Sequence, residues 1–227
     1  MFLLDGIRQK AREIAYVFAG FSASAGFCKV KSMNTLTVDR RVKDFLTDAG
    51  IEQFLTAARK GTHGLRDFLL ALLAYRHGFR VSELIDVRLE ELGLKTGRLF
   101  VRRLKVSLSI EHPLEGDELR AIRAWLRIRG ESKFAHLPHL FIGERGPMTR
   151  QAVNYLFEQI RKRARLVFRV RPHMLRHSCG YYLANKGLDT RLIQDYLGHQ
   201  NLFNLPSVAL TTRNEDEGQV SEAGAVD

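Results

Sequence analysis

The stretch Arg171-Pro172-His173-Met174-Leu175-Arg176-His177 sets two arginines and two histidines where a helix begins. A three-residue step falls on neighbouring parts of one helical surface, so His173 and Arg176 share a face. Twenty-three residues after Arg176 comes a second polar site, Leu197-Gly198-His199-Gln200. Ninety-six residues before it lies Arg80, within Gly78-Phe79-Arg80-Val81-Ser82-Glu83-Leu84. Arginines drawn from separate segments suit one task, gripping a tetrahedral phosphate. The guanidinium is planar, always charged, and offers a fork of donors to two oxygens at once. Histidines beside such a clamp can move protons at physiological pH. Alone, Arg80 would read as a helix-end ion pair and His199 as a cap or surface residue. The set is what changes the reading.

The chain has 227 residues, enough for one sizeable domain with a small appendage. At 45% hydrophobic residues it is not a disordered polymer. Its formal net charge of +11 favours a polyanionic partner, nucleic acid before a membrane surface. Placement sharpens the point: from Arg150 to Arg176 there are eight Lys or Arg residues against one acid, Glu158. The alternative is a basic surface kept for solubility. The two cysteines, Cys28 and Cys179, form no C-x-x-C pair, which argues against metal or redox roles and for reduced thiols in the cytoplasm. No run reaches the eighteen or so apolar residues of a membrane span.

Periodicity supplies an α+β, mainly helical fold with a small antiparallel sheet. Thr47 caps a helix carrying Ile51, Phe54, Leu55 and Ala58, ended by Gly61. A second helix carries Leu65, Phe68, Leu69, Leu72 and Leu73 and stops at Gly78, leaving Arg80 in a turn with Ser82 capping the next helix. Residues 98–112 switch to period two, with Leu99, Val101, Val106, Leu108 and Ile110 alternating as strands do. A helix from about Asp117 to Arg129 turns Leu119, Ile122 and Leu126 to one side, and Leu140-Phe141-Ile142 reads as a short strand. Thr149 caps a helix with Val153, Leu156, Phe157, Ile160 and Ala164 inward. Its last turns carry Arg161, Lys162, Arg163 and Arg165, a solvated face or a DNA-backbone contact that positions without reading bases. A helix from Asp189 buries Leu192, Ile193, Tyr196 and Leu197, and Gly198 releases the chain at His199.

Taken in order, Arg80, Lys105, His173, Arg176 and His199 resemble the tyrosine recombinase (phage integrase) signature: an arginine before an S-E-L helix, a hairpin lysine, an H-x-x-R box and an L-G-H histidine. The likeness runs from about Thr47 to Asn201. Pro172-His-Met-Leu-Arg-His-Ser-Cys-Gly180 and Thr190-Arg-Leu-Ile-Gln-Asp-Tyr-Leu-Gly-His199 are most similar to small invertases that switch fimbrial promoters. The resemblance implies a recombinase catalytic domain over residues 33–201 that acts on double-stranded DNA as a homo-oligomer, without metal, nucleotide or other cofactor. It implies that Arg80 and Arg176 hold the scissile phosphate and that His199 adds a hydrogen bond. Lys105 would protonate the departing 5′ oxygen, and His173 would assist proton transfer from the nucleophile. Val106-Ser107 follows Lys105 where a tight-turn pair is expected, so Arg102 and Arg103 rival it for contact with DNA. Arg150, Arg161, Lys162, Arg163 and Arg165 complete the expected DNA-contacting set.

The family's nucleophilic tyrosine follows the L-G-H histidine by about nine residues. Here the sequence after His199 is Gln-Asn-Leu-Phe-Asn-Leu-Pro-Ser-Val-Ala-Leu-Thr-Thr, and the last tyrosine is Tyr196. Residues 202–227 change composition and read as a divergent, disordered tail, as a frame change after Asn201 would produce. Residues 1–32 read as an extension before a start at Met33. Their basic start and short apolar run only loosely imitate a secretory signal.

Overall fold

The computed structural model describes residues 44–103 and 110–198, with residues 13, 14 and 17 ahead of them. Lys105, His199, most of the extension before Met33 and the tail from 202 lie outside the described residues.

The centre is a helix that is apolar nearly all round. Thr47 caps α1 (Asp48–Arg59) by accepting from the Gly50 N–H. The next helix, α2 (Gly64–Arg76), has every residue from Arg66 to Arg76 buried. A helix without a polar face must be wrapped by others, and α2 packs against α1, α4 (Gly116–Gly130) and α6 (Pro172–Asn185). Its sunken charges are paired. Arg66 meets Asp67 at 2.8 Å, and Arg76 forks onto both oxygens of Asp117 at 2.6 Å. A buried ion stays in place only with such partners.

Around this axis stand α3 (Val81–Ile85), α5 (Arg150–Arg163) and α7 (Thr190–Leu197). A 3-10 turn at Leu89–Glu91 leads into a sheet of order β1-β2-β3, formed by Leu92–Gly93, Arg98–Val101 and Ile110–Pro113, antiparallel throughout. Leu99 and Val101 are fully buried, and Leu99 faces His112 across the ladder. The connection after Val101 that returns as β3 includes the position of Lys105. A second small ribbon, β4 (Ile142–Gly143) with β5 (Gly146–Pro147), precedes α5.

Two expectations shift. The inward stripe of α4 is Glu118, Ile122, Trp125 and Arg129, with Leu119 and Leu126 only half-buried. Trp125 donates to the Leu140 carbonyl, and Arg129 forks onto the carbonyls of Leu137 and His139. Satisfied polar groups thus took places that a purely apolar pattern assigns to leucine. Leu140 and Phe141 are buried as expected, but pairing begins only at Ile142. In the segment read as an extension, Ile14 is fully buried and Tyr182 donates to the Val17 carbonyl at 3.1 Å. This part of it sits on α6.

Candidate phosphate-binding site

The chain leaves α2 through His77 and turns at Gly78, whose φ of +55° is the left-handed region that glycine adopts without strain. Arg80 then lies extended and itself forms the N-cap of α3, in place of the Ser82 that sequence spacing suggested. The carboxylate of Glu83 explains this. One oxygen accepts the Arg80 backbone N–H at 3.0 Å, the other the Arg80 guanidinium at 2.6 Å. The same carboxylate accepts from Arg103 at 2.8 Å, and the side chains of both Glu83 and Arg103 are fully enclosed. Burial raises the Glu83 pKa, but the Arg103 charge and these hydrogen bonds outweigh it and hold the group below the usual carboxylate range.

Arg103, expected as a DNA contact, is therefore enclosed within the protein and paired to Glu83. It follows Val101 by two residues, on the inward phase of the strand, and that period-two position was the signal available in the sequence. Arg102 takes the outward phase, with its side chain 44% exposed and paired to Glu91 at 2.8 Å.

From the opposite wall, Pro172 occupies the first turn of α6, where its missing N–H costs nothing. Arg176, one turn in, is buried and donates to the carbonyls of Gly78 and Leu197. Asp189 caps α7, and Gly198 ends it with a φ of +67°. Three successive carbonyls at this helix end each accept a different guanidinium: Tyr196 from Arg103 at 2.7 Å, Leu197 from Arg176, Gly198 from Arg80 at 3.3 Å. A helix C-terminus is the negative end of its dipole, which suits cations. Sequence inspection missed this seat, because backbone carbonyls carry no residue signature.

Arg80 and Arg176 thus converge, as expected. The Glu83 carboxylate pairs with two of these guanidiniums, those of Arg80 and Arg103, and Arg176 has only carbonyl acceptors among the described residues. Burial, then the charges of Arg103 and Arg80, push the Arg176 pKa down to about 9. A guanidinium keeps its proton in a protein, so the same forces are felt as positive charge that an entering anion would relieve. His173 stands one turn before Arg176 on the exposed face of α6. Partial burial and the neighbouring His177, Arg176 and Arg80 lower its pKa, leaving a neutral ring at pH 7 that can take a proton.

The other basic candidates separate into two groups. Arg150, Lys162 and Arg165 are exposed. Arg161 is paired with Glu158 at 2.7 Å and donates to the Leu166 carbonyl, while Arg163 donates to the Ala57 carbonyl. No helix among the described residues is long and apolar enough to cross a membrane.

Residues 9–205 match the profile of the phage integrase family. The type 1 fimbriae regulatory protein FimB of Escherichia coli K12 is 42% identical over 165 residues, 72% of this chain and 82% of that protein. Its counterpart FimE is 44% identical over 160 residues, 70% of this chain and 81% of that protein. Among solved structures, the XerH site-specific recombinase bound to difH substrate overlays with a TM-score of 0.61 at 21% identity, covering 81% of this chain and 56% of that one. By the profile match and these identities, the chain belongs to the phage integrase family of tyrosine recombinases.

Proposed function

We propose that the protein is a site-specific DNA recombinase of the tyrosine type, crippled by the lack of a tyrosine after His199, whose Arg80 and Arg176 hold the phosphate that such enzymes cut. The observation carrying this is the seat of three guanidiniums on three successive carbonyls, with one carboxylate, Glu83, paired to two of them. Such a site has surplus positive charge, and the Arg80 side chain, 24% exposed, gives it an open side. In the reaction a tyrosine hydroxyl bonds to phosphorus, the bond to the 5′ oxygen breaks, and a 3′-phosphotyrosine is left. Charge building on the nonbridging oxygens would be met by the two arginines and His199. His173 would take the nucleophile's proton, and Lys105 would supply one to the leaving oxygen. On this reading the partner is chromosomal double-stranded DNA in the cytoplasm, bound by a homo-oligomer.

The nucleophile is a separate question, since no tyrosine follows Tyr196 in the chain. Tyr196 is buried with its hydroxyl on the Arg76 carbonyl at 3.0 Å, and Tyr182 is held by Val17. We therefore expect salt-sensitive duplex binding without covalent capture on a nicked suicide substrate. A denaturant-resistant protein–DNA product would assign the full strand-exchange reaction to this chain. Absence of both binding and product would sink the proposal.

Salt dependence tests the outer contacts. Lys162→Gln and Arg165→Gln should each lower the slope of log K against log salt by about 1. Arg161→Gln should change it less, because Glu158 already neutralises that side chain.

A further inference from the structure

Arg176 is held by two carbonyls, those of Gly78 and Leu197. The residues immediately before them, His77 and Tyr196, touch each other, with the Tyr196 hydroxyl 3.4 Å from His77 Nδ1. His112, entering from β3, touches both. Its Nδ1 lies 3.1 Å from His77 Nδ1, and its ring stacks on Tyr196 at 4.1 Å between centroids. His112 is fully enclosed, and His77 is 2% exposed. On its far side, His77 Nε2 lies 3.0 Å from Glu118 Oε1. Among the described residues no three His, Cys, Asp or Glu side chains converge as metal ligands would.

We propose that His77 and His112 are positioning residues for the arginine site: as a neutral pair they hold together the two chain segments that seat Arg176, and a further proton parts them. The inference rests on the phosphate-binding reading above.

The arrangement follows from donors and acceptors. One of the two facing Nδ1 atoms donates its N–H and the other accepts on a lone pair. The Nε2 atoms of both rings have no hydrogen-bond partner among the described residues, and the 3.0 Å approach of His77 Nε2 to Glu118 is a close contact without hydrogen-bond geometry. An added proton has no good place. On the accepting Nδ1 it sets two N–H groups head to head. On a bare Nε2 it creates a buried cation with an unpartnered N–H.

The charges facing the pair come from every neighbouring element. Arg76 stands beside His77 on α2, and Asp117 and Glu118 come from α4, with Glu115 at its cap. Arg103 follows β2, Tyr196 comes from α7, and Cys179 on α6 donates its thiol to the Arg76 carbonyl. The Glu118 carboxylate lies 3.0 Å from His77 Nε2 and 3.7 Å from the Arg76 guanidinium. Burial, then His77 and Arg103, hold His112 well below the ordinary histidine range. The sign is therefore fixed. An unfolded histidine takes its proton near pH 6.5 and His112 in the fold does not, so its contribution is complete above about 6.5 and is lost as the pH falls below that.

The experiment is duplex DNA binding at constant ionic strength, at pH 7.5 and 5.5, for the wild-type chain and for His112→Phe. The exposed His173 gains charge in acid and by itself would tighten phosphate binding. The wild type is expected to weaken instead, by about tenfold, the equivalent of one pH unit of resisted protonation. His112→Phe keeps a ring on Tyr196 but cannot titrate, so its affinity should hold or rise. Wild-type affinity that holds or rises, or an equal fall in both proteins, would overturn the proposal. Ring-nitrogen NMR of the wild type decides the point without DNA and without the variant. His112 should stay neutral through pH 6.5 and gain its proton only where duplex affinity falls, and a transition near 6.5 would overturn the pairing. If neither protein binds duplex at pH 7.5, the recombinase reading fails, and the NMR result still stands for the pair.

Discussion

Glu83→Ala is expected to cost about 3–5 kcal/mol of folding stability, read as a large fall in the urea midpoint with an unchanged slope. The carboxylate has no exposed surface, and it is the counter-charge of two guanidiniums as well as the acceptor of the Arg80 N–H. Removing it leaves Arg103 enclosed and short of a counter-ion, the condition that makes loss of one partner so costly. A domain of ordinary stability has only about 5–15 kcal/mol to lose. Glu83→Gln keeps a carbonyl oxygen for one donor but drops the charge, so it should fall between wild type and alanine. The stabilisation also has a pH signature. Glu83 is held below the usual carboxylate range, so its contribution is present above about pH 4.3 and disappears as acid titrates the folded group. A cost for Glu83→Ala below about 1 kcal/mol would mean that the arginines find other partners.

Glu83 also marks how far the sequence could be read. The helices came through, because α1, α2, α5 and α7 have strong apolar spacing and side-chain or glycine ends at Thr47, Gly78, Thr149 and Gly198. Convergence of Arg80 with Arg176 was legible from residue type and order. The division of labour among the arginines was not. Arg102 and Arg103 are identical in type and adjacent, and only strand phase sends one outward and sinks the other. Ser82 is a better N-cap than arginine by preference, yet Glu83 caps the Arg80 N–H instead and so fixes the side chain that faces the open side. The His77–His112 contact was invisible because it joins residues 35 apart on a helix end and a strand. Local patterns specify elements, while buried polar partners are chosen by tertiary geometry, which no window of sequence contains.

Gly78→Ala should be nearly as damaging to stability and more specific in its effect on DNA. The residue sits at φ +55°, where a Cβ costs about 1–2 kcal/mol. That Cβ would also fall 2.2 Å from Leu197 Cδ2, an overlap that some movement must relieve. Leu197 is 3% exposed and has little room, since a Cβ on Gly180 would already stand 3.3 Å from its other methyl. Overpacking of this kind adds about 1–3 kcal/mol. The total of roughly 2–5 kcal/mol would appear in denaturation. The movement also acts on the site, because Gly78 and Leu197 supply the two carbonyls that hold Arg176. Duplex affinity should therefore drop even where the variant remains folded. Leu197→Ala separates the two causes. Combined with Gly78→Ala, it removes the overlap but leaves the backbone strain, so the double variant should be more stable than the sum of the single costs by about 0.5–3 kcal/mol. Additivity within about 0.3–0.5 kcal/mol would show that the leucine was never the obstacle, and that glycine is needed at position 78 for its backbone alone.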